Sequence, residues 1–118
     1  KWFLLAAEQG HPQAPYSLGW MYRYGEGVEQ DYAEAVKWYL LAAEQGHAKA
    51  QARLAVICYS RVPQNYVQAY KWISLSAALG YEDAAEVVDL FSSDMTSEQI
   101  TEARALAAEW WEDYQSRQ

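Results

Sequence analysis

Lys1-Trp2-Phe3-Leu4-Leu5-Ala6-Ala7-Glu8-Gln9-Gly10-His11 and Lys37-Trp38-Tyr39-Leu40-Leu41-Ala42-Ala43-Glu44-Gln45-Gly46-His47 are the same eleven-residue segment with one ring exchanged, Phe3 for Tyr39, at a spacing of 36. A looser copy runs from Lys71-Trp72 through Ala77 to Gly80, 34 residues further on. The residues between the copies repeat as well. Ala14, Leu18 and Met21 return as Ala50, Leu54 and Ile57, and again as Ala84, Val88 and Phe91. The shorter last period loses its two residues in one place, where Tyr24-Gly25-Glu26-Gly27-Val28 contracts to Ser60-Arg61-Val62. Self-similarity at this period is the mark of a repeat architecture.

Each unit reads as two helices. Ala14, Leu18, Met21 and Tyr22 recur at helical spacing and stop before Gly25 and Gly27; Ala35, Trp38, Tyr39, Ala42 and Ala43 form a second stripe that ends at Gly46. Asp31 stands where the second helix needs an N-cap, and Asn65 takes that place one repeat later. The spacing predicts helices near 1–9, 13–24, 32–45, 48–59, 66–79 and 82–91, with Ala-Ala pairs where helices cross and Trp2, Trp38 and Trp72 filling the adjoining space. A helix pair of this size cannot bury both of its faces alone, so successive pairs stack. Thr96-Ser97-Glu98-Gln99 has the capping-box pattern, and Ile100, Ala103, Leu106, Ala107, Trp110 and Trp111 follow as one apolar stripe that does not match the repeat.

The fold expected is therefore all-α: an α-α superhelix, a right-handed solenoid of helix-turn-helix units closed by a C-terminal capping helix over the last pair. As one domain over 1–118, it divides into the second helix of a truncated repeat (1–11), a full repeat (12–47), a shortened repeat (48–81), the first helix of a last repeat (82–91) and the capping helix (96–116). The first helix lacks its partner in this sequence, which makes Trp2 and Phe3 candidates for self-association.

Composition narrows the function. The chain is 52% hydrophobic and 15% aromatic, too apolar for a disordered segment. Sixteen acidic against nine basic side chains give a net charge of −7, which opposes attraction to nucleic acid or anionic lipid. No apolar run approaches the roughly 20 residues that span a bilayer. Cys58 is the single cysteine, so neither an internal disulfide nor a cysteine-built zinc site is available. Between 82 and 113 ten acidic residues face one basic residue, Arg104, whereas 1–81 comes to about +1. That asymmetry either orients a charged partner or simply solvates a helix surface.

Ala14, Leu18, Gly19, Tyr22, Gly25, Gly27, Val28, Asp31, Ala35, Trp38, Ala42, Ala43 and Gly46 together resemble the pattern of Sel1-like repeat proteins, within the tetratricopeptide-like superfamily. The resemblance covers about residues 1–91, and the tail from Met95 to Ile100 is similar to the closing helix of many bacterial members. The shortened copy departs from the pattern: Cys58 replaces Tyr22, the glycine loop is gone, and Ser76 replaces the first Ala. Some secreted relatives carry a disulfide in each repeat, and one Cys sets this chain outside that branch.

The resemblance implies a non-catalytic scaffold or adaptor for other proteins. Stacked pairs offer a concave surface lined by the first helix of each pair, suited to a peptide or helix. Through the repeat register that surface carries Gln13, Tyr16, Ser17, Trp20, Arg23 and Tyr24 from one unit and Lys49, Arg53, Val56 and Tyr59 from the next. Tyr, Trp and Arg are the types enriched at binding hot spots, although Tyr16 and Trp20 fit half-buried packing roles equally well. The alternatives are a hydrolase acting on cell-wall or β-lactam substrates, as attributed to cysteine-rich relatives, and a pure spacer or oligomerisation module.

No catalytic, metal or cofactor residues are expected. His11 and His47 follow helix-ending glycines one repeat apart, too far apart to share a metal, and read as turn residues. Glu26, Glu29 and Asp31 lack calcium-loop spacing. Cys58 lies on the buried stripe without a histidine near it in the register, so a core thiol is expected rather than a nucleophile. Gly25-x-Gly27 follows a helix, not a strand, unlike a phosphate-binding turn. Nothing in the sequence assigns a compartment.

Overall fold

Helices start where the sequence supplies a side-chain acceptor for the free backbone N–H groups of the first turn. The computed structural model describes residues 13–60 and 65–117. Six helices follow one another within them: α1 (Gln13–Tyr24), α2 (Tyr32–Glu44), α3 (Ala48–Ser60), α4 (Tyr66–Ala78), α5 (Glu82–Ser92) and α6 (Ser97–Ser116). The helix expected at 1–9, with Trp2, Phe3 and His11, lies outside the described residues. At the head of α2 the Glu34 N–H donates to Asp31 Oδ1 at 3.2 Å; at the head of α4 the Gln68 N–H donates to Asn65 Oδ1 at 3.1 Å. Thr96 and Gln99 complete a reciprocal capping box at α6.

The two units close in the same way despite their different lengths. In the first, the Asp31 N–H donates to the Tyr22 carbonyl at 2.8 Å; in the second, the Asn65 N–H donates to the Cys58 carbonyl at 2.7 Å. These are equivalent register positions, so the loss of two loop residues leaves the closing bond intact. The ends of α2 and α4 match too: His47 N–H bonds to Ala42 O at 3.2 Å and Tyr81 N–H to Ser76 O at 3.1 Å.

α1 packs on α2, α2 on α3, α3 on α4, and α4 on both α5 and α6, within an envelope of 44 × 32 × 22 Å. This is the expected all-α superhelix. Fully buried Ala35, Ala42, Ala43, Ala50, Ala55 and Ala69 let the helices approach, and Tyr39, Leu54, Ile57, Trp72 and Ile73 fill the space between them. A smaller cluster joins Ala14 and Leu18 to Met21 and Trp38. Two polar side chains enter the core with work to do. Ser76, the residue in place of an alanine, donates to the Ala48 carbonyl at 2.7 Å, and Gln51 donates to the Ala43 carbonyl at 3.1 Å. Each adds a side-chain bond to a backbone carbonyl near a helix end, across the junction between neighbouring helices, and so pairs its own buried donor.

α6 reaches further than a cover for the last pair. It lies on α4, where Trp110 meets Trp72 edge to face at 5.8 Å, and it continues to the end of α2. There the Trp110 indole N–H donates to Glu44 Oε2 at 3.1 Å and the Arg117 guanidinium to the Glu44 carbonyl at 3.3 Å. The Tyr114 ring occupies the space that a Cβ on Gly46 would need. Gly46, at φ 85°, is thus fixed twice, by its left-handed turn and by α6.

Gly19 lets α1 lie directly against α2. A Cβ there would stand 2.5 Å from Cδ1 of Tyr39, whose side chain is completely enclosed. Replacing Gly19 by Ala gains up to about 1 kcal/mol in helix propensity but forces overpacking that costs about 1–3 kcal/mol. The Tyr39 ring has nowhere to retreat, so Gly19→Ala is expected to lower the denaturation midpoint, by on the order of 1–2 kcal/mol in a urea titration. A midpoint equal to or above the wild type would contradict this account of the α1–α2 contact.

Candidate functional site

The ten residues expected on the concave face do not form one group. α1 presents its side chains in consecutive turns, and five aromatic and basic residues come together around it. Trp20 and Tyr24, one turn apart, pack at a 50° tilt with ring centroids 4.5 Å apart. The Arg23 guanidinium lies 5.3 Å from the Tyr24 ring, and Arg53 crosses from α3 to lie 5.5 Å from the Trp20 ring. Tyr16 contacts Tyr39 at 5.7 Å. Trp20, Arg23 and Arg53 are half-buried, and Tyr24 is 48% exposed.

The remaining residues have other places. Gln13 and Lys49 line a cavity of about 370 Å³ at the turn side, with His47, Leu79, Gly80 and Tyr81. Ser17 spends its hydroxyl on the Gln13 carbonyl at 3.0 Å. Val56 lines a narrower cleft of about 200 Å³ between α3 and α5, with Arg53, Tyr81, Asp83 and Val87. Tyr59 leaves the group altogether. Its ring stacks flat on Phe91 at 4.1 Å, it contacts Tyr66 at 5.2 Å, and its hydroxyl donates to Asp94. It occupies the register position of Arg23, but the large flat ring of Phe91, where the other units have Met21 and Ile57, draws it into packing.

Three residues join the face that the register reading did not name. Tyr39, on α2, lays its ring under Gly19 and carries a buried, unpaired hydroxyl that feels the charge of both arginines. Burial first, and the Tyr16 phenol second, push its pKa up to about 12, while Arg23 and Arg53 pull the other way. Its place in a core stripe concealed it, because periodicity says where a ring lies and not where its hydroxyl ends. Burial works against the charge of Arg53, yet the neighbouring phenols of Tyr16, Tyr81 and Tyr24 leave its pKa raised. Leu90, 62% exposed, holds the register position of Trp20 and Val56. That signal was in the sequence. His47 completes the set, stacked on Tyr16 at 4.8 Å.

His47 is a cap. Its Nδ1 accepts from the Ala50 N–H at 3.1 Å and its Nε2–H donates to Gln13 Oε1 at 3.1 Å, a pattern that only the neutral ring with a bare Nδ1 can make. Tyr81, the equivalent residue at α5, makes no side-chain cap. Cys58 is free and half-buried, and burial pushes its thiol pKa up. It stands at the far end of α3 from His47, eleven residues or about 16 Å along the helix axis, so these two groups do not make a nucleophile–base pair. Among the described residues, no three His, Cys, Asp or Glu side chains gather as metal ligands, and no helix is long and apolar enough to cross a membrane.

A stack of paired helices with an aromatic-cationic face defines a helical-repeat solenoid. The chain belongs to the Sel1 repeat family, whose model matches residues 1–11, 12–47 and 48–81. It is similar to c5321, a protective antigen present in uropathogenic Escherichia coli strains with an SLR fold, at 32% identity and a TM-score of 0.90 over 96% of this chain. It is also similar to a Sel1 repeat protein from Oxalobacter formigenes, at 38% identity and a TM-score of 0.74 over 79% of this chain. The chain spans 25% of the first structure's length and 39% of the second's. No curated protein matches it. Sel1-like repeat proteins generally mediate protein–protein interaction, and the fold is typically non-catalytic.

The cap makes stability depend on pH. Burial, then the Lys49 ammonium, hold the His47 pKa below its usual 6.5. The unfolded chain therefore takes up the proton first, and stability rises with pH across the interval between the two values. The contribution is complete above pH 6.5 and is lost as pH falls through the folded-state pKa. Thermal midpoints measured from pH 7.5 downward should begin to drop near 6.5. His47→Asn, which keeps an N-cap acceptor but does not titrate, should lack that early drop. Identical profiles for the two proteins would remove His47 from this role.

Proposed function

We propose that this chain is a non-catalytic scaffold that binds a peptide segment of another protein across its first-helix face. The observation that carries this reading is the open cluster of Trp20, Tyr24, Arg23 and Arg53, which presents large rigid rings and two cations at once. Such side chains lose little entropy on binding and bury much area. The row Trp20, Val56 and Leu90 extends the surface along the stack, one residue per first helix. An extended or helical segment crossing α1, α3 and α5 would contact all three.

Panning a display library of random octapeptides against the immobilised protein tests the reading. Enriched peptides are expected to bind Trp20→Ala at least tenfold more weakly than wild type, as loss of a central aromatic contact typically costs 2 kcal/mol or more. The far-UV circular dichroism should be unchanged, because Trp20 is not in the buried core. Peptides that bind Trp20→Ala and wild type equally would place the recognition surface elsewhere.

A further inference from the structure

We propose that Arg23 and Arg53 jointly hold a carboxylate of the bound peptide; this deepens the peptide-binding reading and rests on it. The Arg23 guanidinium lies 5.3 Å from the Tyr24 ring and that of Arg53 5.5 Å from the Trp20 ring, and these two rings are 4.5 Å apart, so two cations from different helices, α1 and α3, flank one aromatic pair. Among the described residues neither arginine has an acidic partner. The ion pairs among the described residues are Lys37–Glu34 and Arg117–Asp113, both within single helices at the surface. Asp83 lines the cleft beside Arg53 but does not pair with it, and Glu86 occupies the next turn of α5.

Three polar atoms at this point have no hydrogen-bond partner in the protein: Arg23 Nη1, Arg53 Nε and the Tyr39 hydroxyl. All three can donate, and the phenol stays protonated at any physiological pH. A half-buried pair of cations walled by Trp20, Tyr16 and Tyr24 carries charge that the fold itself leaves uncompensated. Those three atoms are closed to solvent, so an incoming carboxylate bonds the outer guanidinium N–H groups of the two half-buried arginines, where a fork offers parallel donors and the rings beside it lower the local dielectric. The aromatic walls would hold the flanking peptide side chains, so charge and apolar area act on one short segment. Rings and arginines here form one recognition unit rather than two.

The test uses an octapeptide enriched by the panning above, synthesised with each Asp or Glu exchanged for its amide and with the C-terminus free or amidated. Fluorescence polarisation gives affinities for wild type, Arg23→Gln and Arg53→Gln, with circular dichroism to check folding. Neutralising one carboxylate should weaken binding to wild type about tenfold, but less than about twofold for either variant. Which exchange has the effect separates a side-chain carboxylate from the C-terminal one. If the exchanges cost equally in all three proteins, or cost nothing while Trp20→Ala still disrupts binding, the carboxylate contact is wrong and the peptide reading stands. If panning enriches no peptide, both fall together. Should Arg53→Gln unfold, Arg23→Gln at the end of α1 and Arg53→Lys, which keeps charge but loses the fork, give the same comparison.

Discussion

Everything in this chain turns on the ring of Tyr39 lying against the bare backbone of Gly19. Because no Cβ intervenes, α1 and α2 come close enough for the ring to lie directly on the α1 backbone. The ring is fully buried and its hydroxyl ends among Tyr16, Arg23 and Arg53. One contact therefore fixes both the angle of the hairpin and the composition of its outer face. The cost is a buried hydroxyl without an acceptor in the protein, which a purely structural ring such as phenylalanine would avoid. Phe3 occupies that register position in the preceding copy, so the tyrosine is a local choice rather than a demand of the repeat.

The repeat constrains backbone far more tightly than surface. Cap bonds at Asp31 and Asn65, the closing bonds from Tyr22 and Cys58, and the turns after α2 and α4 recur with nearly equal distances. Along the exposed side, the equivalent positions diverge. Gln13 becomes Lys49 and then Asp83; Arg23 becomes Tyr59 and then Ser93; Trp20 becomes Val56 and then Leu90. A solenoid permits this because each unit needs only its neighbours' packing surfaces. The face is then free to differ from one helix to the next, and only the apolar row keeps its character throughout.

Helix positions, caps and the stacking of pairs were legible in the sequence because each rests on local backbone chemistry repeated at fixed spacing. What was not legible depended on side-chain length and on partners outside the register. Periodicity put Tyr39 in the core and said nothing about the destination of its hydroxyl. Tyr59 was expected beside the arginines; the flat surface of Phe91 captured it instead. α6 has no counterpart in the repeat, so its reach to Glu44 and Gly46 could not be read from spacing. The register put Arg53 on the same face as Trp20, and its guanidinium does cross from α3 to lie over the Trp20 ring of α1.

The charge distribution follows from the same geometry. α5 and α6 carry most of the acidic residues, whereas Arg23, Lys49 and Arg53 belong to α1 and α3. Charges more than about 8 Å apart at physiological ionic strength are largely screened where solvent reaches them. The acidic helices therefore cannot neutralise the arginines from a distance, and contact is what neutralisation would require. Asp83 shares a cleft with Arg53 and still forms no ion pair with it. A solenoid that keeps opposite charges on separate helices retains a field gradient along its open face, which favours one orientation of any ligand that carries its own charge asymmetry.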